Sequence, residues 1–214
     1  VKPGSAYEFQ ARFFEGAVFV AGKELDKAIE AYAGLLKLRP RTGADRRIIE
    51  LAQLALGRLY YEKDLTSAAV DAYLMIDRRS DLFSEALYEI AWVYIKAQEF
   101  EKALRALELL ALTDPTSSRL PTVRILEANL RVRKAQAVRA RIIVGVEAEA
   151  GNPSEEYDRA EKIFIATADL YRPAHDELAT IVGERRDTRL YLGQITARAA
   201  DAFTASATMP ELAA

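Results

Sequence analysis

Apolar residues recur along this chain at helical spacing, and no stretch sustains the period-two alternation of a half-buried strand. Ala, Leu, Glu, Arg and Lys dominate while Gly and Pro cluster at intervals, so the pattern predicts helices throughout. Three stretches share one signature: a large-small pair with an aromatic residue three positions on, then Ala-x3-aromatic on a second helix. It reads Glu15-Gly16-x2-Phe19, Ala28-x3-Tyr32 and Pro40 in the first copy, and Leu56-Gly57-x2-Tyr60 with Ala69-x3-Tyr73 in the second. The third copy reads Ile90-Ala91-x2-Tyr94, Ala103-x3-Leu107 and Pro115. Gly57 and Ala91, Tyr60 and Tyr94, and Ala69 and Ala103 each lie 34 positions apart, so the helices repeat in phase.

Each residue type has a physical reason. Small Gly57, Ala69, Ala91 and Ala103 let two helix backbones approach closely, and Tyr60, Tyr73 and Tyr94 fill the space beside them. Pro40 and Pro115 end the second helices. Helix-pair repeats are therefore expected at about 9–42, 50–83 and 84–117. Residues 43–49 form an insertion in which Thr42-Gly43-Ala44-Asp45 supplies turn chemistry, lengthening the loop or the following helix by about two turns.

Beyond Pro115 the signature thins. Thr116 to Arg119 reads as a loop, Pro121 suits a first helical turn, and one long helix is expected over about 121–150. Gly151-Asn152-Pro153 is a turn, after which Ala160-x3-Phe164 reproduces the second-helix signature and suggests an enlarged fourth hairpin over about 121–172. Pro173 predicts a bend, followed by a helix to about Arg186. A last helix over about 187–204, with Tyr191, Leu192, Ile195 and Phe203 on one apolar stripe, is expected to cap the stack. The whole predicts an all-α solenoid of antiparallel helix pairs, three repeats within 1–117 and a larger hairpin with C-terminal helices continuing the same solenoid over 118–214.

Composition removes several function classes. Of 214 residues, 50% are hydrophobic and 29% charged, enough for a real core, and a net charge of -2 gives no global attraction to nucleic acid or acidic lipid. Cysteine is absent, His175 is the single histidine, and no glycine-rich phosphate loop occurs. Nucleophile-base pairs and thiolate or histidine metal sites lack their parts, so neither catalysis, cofactor nor metal is expected. Uninterrupted apolar runs such as Ala17 to Ala21 are far below the roughly 20 residues that cross a bilayer. The opening Val1-Lys2-Pro3-Gly4 lacks an initiator Met and reads as a processed or excised fragment.

The phased positions over about 9–117 resemble the tetratricopeptide repeat family, with a weaker likeness to about 175. The resemblance implies a right-handed solenoid that binds proteins in a concave groove. The third unit, Ser84-Glu85-Ala86-Leu87-Tyr88-Glu89-Ile90-Ala91-Trp92 with Phe100-Glu101-Lys102-Ala103, is similar in texture to bacterial cell-envelope members. These include outer-membrane assembly lipoproteins, Tol-Pal accessory proteins and gliding-motility components, so a periplasmic or envelope location is favoured over the cytoplasm. Glu15, where a large apolar residue is usual, and Asp81, in place of a terminal Pro, depart from the pattern.

Groove positions carried over from the family nominate Phe13, Leu54, Arg58, Tyr61, Tyr88, Trp92 and Lys96 as partner contacts. Aromatic residues and Arg most often carry interface energy; the competing reading is that Tyr88 and Trp92 only pack. The family's carboxylate clamp for acidic chaperone tails is missing, because its positions hold Phe13, Ala17, Ala55, Glu85 and Glu89. A basic stretch offers Arg124, Arg131, Lys134 and Arg139 as candidate contacts to an anion, nucleic acid or lipid headgroup. The simpler reading is a helix whose charge is met by a returning acidic segment that includes Glu155, Glu156, Asp158 and Glu161. The expected function is a non-catalytic protein-protein scaffold, with homo-oligomerisation as the alternative and a nucleic-acid or anionic-surface adaptor as the less favoured one.

Overall fold

The computed structural model describes residues 4–115, 117, 119–143, 152–183, 193 and 197. Among them are eight α-helices: α1 (Glu8–Ala21), α2 (Leu25–Leu36), α3 (Gly43–Glu62), α4 (Thr66–Leu74), α5 (Phe83–Lys96), α6 (Phe100–Thr113), α7 (Leu120–Ile143) and α8 (Pro153–Gly183). No strand occurs among the described residues. The contacts of the chain separate a first unit, Val1–Phe164, from Ile165–Ala214. The described residues are all-α, and those of the first unit form a helical repeat solenoid.

Each of the first three helix pairs is closed by the same short turn. Lys23, Asp64 and Gln98 take φ values of 58°, 58° and 60°, the left-handed conformation that ends a helix. The next residue then reaches back: the Glu24, Leu65 and Glu99 amides donate to the Phe19, Tyr60 and Tyr94 carbonyls, each at 2.9 Å. The chain reverses there, and the second helix returns along the first.

Residues 43–49 are helical, so α3 has 20 residues where α1 and α5 have 14. Thr42 caps its N-terminus: the hydroxyl accepts from the Asp45 amide at 3.0 Å, and the Asp45 carboxylate accepts from the Thr42 amide at 3.1 Å. This reciprocal box satisfies amides that a helix start leaves unpaired. The Arg41 amide also donates to Asp45 at 2.9 Å, and that hydrogen bond, with those from Thr42, holds the carboxyl below its usual range despite burial. Asp81, in the place of a terminal proline, pairs instead with Arg47 on the inserted turn of α3.

Two apolar clusters run through the first unit. One joins α1 to α4 around Phe9, Tyr32, Leu35, Leu56 and Leu59. The other joins α3 to α7 around Tyr73, Phe83, Ile90, Leu107 and Val123. Leu54 lies in the second cluster at 3% exposure, which corrects its assignment to the groove: its side chain points inward. Phe13 is half-buried, with its ring centroid 5.4 Å from that of Tyr32.

α7 begins at Leu120 with Pro121 in its first turn; residues 144–150 of the expected long helix lie outside the described residues. At the start of α8, Asn152 Oδ1 accepts from the Ser154 amide at 3.0 Å and Pro153 takes the first helical position. Ala160 is buried and Phe164 is 37% exposed. Pro173, where a bend is expected, lies inside α8, which is helical from Pro153 to Gly183. Residues 165–180 are exposed apart from Thr167. The last helix expected over 187–204 lies outside the described residues except for positions 193 and 197.

Candidate partner-binding groove

α3 and α5 bring Arg58, Tyr61, Tyr88, Trp92 and Lys96 onto one exposed face. They can do so because Gly57 and Ala91, one residue before Arg58 and Trp92, are buried against the second helices, turning their neighbours outward. A cavity of about 360 Å³ is lined by Arg58, Tyr61, Glu62, Tyr73, Glu89 and Trp92. A second, of about 180 Å³, is lined by residues that include Asp81, Glu85, Tyr88, Asp114, Arg119 and Val123. The Tyr88 and Trp92 rings meet edge to face, centroids 6.2 Å apart, and link the two hollows. Trp92 is nevertheless 39% exposed, so packing on Tyr88 leaves much of its indole open.

Arg58 is tied down from α5. Its Nε donates to Glu89 Oε1 at 2.9 Å and its Nη2 to Glu85 Oε1 at 2.7 Å. The hydrogen bonds to Glu89 raise the guanidinium above its ordinary range and outweigh its partial burial. Glu89 also accepts from the Tyr73 hydroxyl at 2.6 Å. Burial, then this bond, push the phenol up, so Tyr73 stays protonated. A core tyrosine thus fixes the carboxylate that fixes the groove arginine. In the sequence Glu89 stands at a position of the family's clamp and Tyr73 beside the close-packed small residues, and only the fold joins them.

Lys96 donates to the Tyr61 carbonyl at 2.9 Å and pairs with Asp64 at 2.6 Å. Its ammonium stands over the Tyr61 ring, 4.4 Å from the centroid. The bond to Asp64 raises its pKa. Five of the seven nominated groove residues are therefore together on one face, while Leu54 is core and Phe13 packs against Tyr32.

The tetratricopeptide repeat family model matches residues 85–117, the segment that carries α5 and α6. This segment is similar to a tetratricopeptide repeat. Tetratricopeptide repeats are protein-interaction modules, and Glu85, Tyr88, Glu89, Trp92 and Lys96 all belong to the matched unit. No curated protein matches the chain.

The basic stretch on α7 is not an open cationic face. Arg131, 8% exposed, donates to Glu108 at 2.6 Å, to Glu127 at 3.0 Å and to Glu156 at 3.1 Å. Lys134 donates to Glu156 at 2.7 Å and also pairs with Glu101. Arg124 pairs with the buried Glu127 at 2.8 Å. These three are corrected from anion contacts to internal ion pairs; Arg139 is exposed. Three of their four carboxylate partners, Glu101, Glu108 and Glu127, come from α6 and α7 rather than from the returning segment, which sequence order hides. Among the described residues no three His, Asp or Glu side chains converge as a metal site, and no helix is long and apolar enough to cross a membrane.

Proposed function

We propose that this chain is a non-catalytic scaffold that holds a segment of another protein along the α3–α5 face, within an envelope-associated complex of bacteria. The observation that carries it is the open indole of Trp92 beside Arg58 and Tyr61 on a tetratricopeptide unit. Trp, Tyr and Arg are the side chains that most often dominate binding energy, and here they surround a ready hollow. The likeness of the third unit to envelope proteins supports the compartment.

The test is affinity capture from cells followed by mass spectrometry, comparing the wild-type chain with Trp92→Ala and Arg58→Ala. The expected result is a small set of proteins, rich in envelope components, recovered with the wild type and lost with both variants at unchanged helical circular dichroism. Equal recovery by all three proteins sinks the groove.

A further inference from the structure

We infer that the groove takes a basic peptide segment, with an arginine or lysine side chain set over the open face of Trp92. This deepens the protein-binding reading and rests on it. The first observation is charge. The two hollows joined by the Tyr88–Trp92 pair are lined by Glu62, Glu89, Asp81, Glu85 and Asp114, against Arg58 and Arg119. Arg58 is already shared between Glu85 and Glu89, and Asp81 is paired with Arg47, so the paired groups offer little to an incoming ion. Glu62 and Asp114 are the lining carboxylates that hold no close ion pair among the described residues. A partner carboxylate would meet an excess of like charge, whereas a cation would meet complementary charge.

The second observation is how the groove handles its own cation. Lys96 lies over the face of Tyr61 with the Asp64 carboxylate beside it. Aromatic face, cation and carboxylate are the three parts, all present. Trp92 has two of them: an indole, the ring that attracts cations most strongly, and Glu62 and Glu89 lining the same hollow. Among the described residues no Lys or Arg stands over Trp92, although Phe9, Phe19, Tyr61 and Tyr94 each have one. Glu62 is exposed at the end of α3 and makes no close ion pair among the described residues; the Lys96 charge acts on it only at longer range. A partner side chain supplies the missing cation.

The experiment uses the full chain as bait for a phage library of random twelve-residue peptides. Enrichment of Lys and Arg is the expected result. Enriched peptides without a basic bias, or with an acidic one, would overturn the inference and leave the protein-binding reading standing; no enrichment over background would remove both. The best basic peptide, synthesised with a fluorophore, is then titrated against variants. Glu62→Lys, at an exposed position, should weaken binding by about tenfold, as should Trp92→Ala at an unchanged thermal melt. Glu30→Lys, on the exposed side of α2, should change nothing. Undiminished binding by Glu62→Lys would overturn the proposal even if Trp92→Ala failed to fold.

Discussion

A Cβ placed on Gly57 would stand 2.3 Å from the Tyr73 ring, and one on Gly16 would stand 2.6 Å from that of Tyr32. Neither fits unless the ring moves. In the third unit the small residue is Ala91 and its opposite number is Leu107, a smaller side chain that leaves room for one methyl. Size is conserved across each pair rather than at each position. Gly57→Ala should therefore destabilise the chain by about 1–2 kcal/mol, because overpacking exceeds the gain in helix propensity. Urea denaturation of Gly57→Ala, Tyr73→Leu and the double variant should show the double costing less than the sum of the singles; strict additivity would refute the steric coupling. The left-handed residues give a prediction of opposite sign. Gln98 sits at φ 60°, where a side chain is strained and glycine is not, so Gln98→Gly should raise stability by about 0.5–1 kcal/mol, read as a higher melting temperature. Residue spacing made the Gly57 and Ala91 positions legible, because close approach needs a small residue whatever surrounds it. It misplaced Leu54, since a groove position and a core position on α3 differ only by how the lengthened helix is turned against its neighbours.

At the level of elements, the phased signature was enough to pair α1 with α2, α3 with α4 and α5 with α6. Each pair depends on contacts within about 34 positions, a range in which sequence spacing and spatial position are tightly linked. The inserted segment became helix because Thr42 and Asp45 form a capping box, so residues read as turn chemistry instead start α3. In α8 the helix runs on through Pro173, the position at which the sequence predicts a bend. The ion pairs that join α7 to its neighbours were legible only in part, since Glu101 and Glu108 on α6 supply carboxylates that chain order does not bring near Arg131 and Lys134. Burial alone would raise the Glu156 carboxyl, but hydrogen bonds from Lys134 and Arg131 outweigh it and hold the group below its ordinary 4.5. The stabilisation is then complete above that value and is lost as pH falls through the lower folded-state value. The stability difference between wild type and Glu156→Gln should be constant above about pH 5 and shrink in acid. Urea denaturation across that range measures it, and a difference independent of pH would dismiss the ion pair as the cause.

Across the first unit, each inner helix is covered from both sides while α1 leaves Phe14 and Val18 exposed at 64% and 68%. In a stack whose stability is a sum of neighbour interfaces, protection should follow that coverage. Hydrogen exchange read by mass spectrometry should find the amides of α4, α5 and α6 slowest and those of α1 faster; equal protection of α1 would contradict the coverage argument. The groove has the same origin: Trp92, Tyr61 and Arg58 are ordinary members of an amphipathic pattern until α3 and α5 lie side by side. Local periodicity by itself determined the helices, their pairing and the places that require a small residue, because these depend on backbone sterics and short-range contact. The tertiary structure alone decided that Leu54 is core, that Glu101 and Glu108 of α6 join in neutralising Lys134 and Arg131, and that Tyr73 anchors Glu89 and Arg58. Those outcomes depend on which charges and rings meet across helices distant in sequence, and distance in space is what burial and Coulomb attraction respond to.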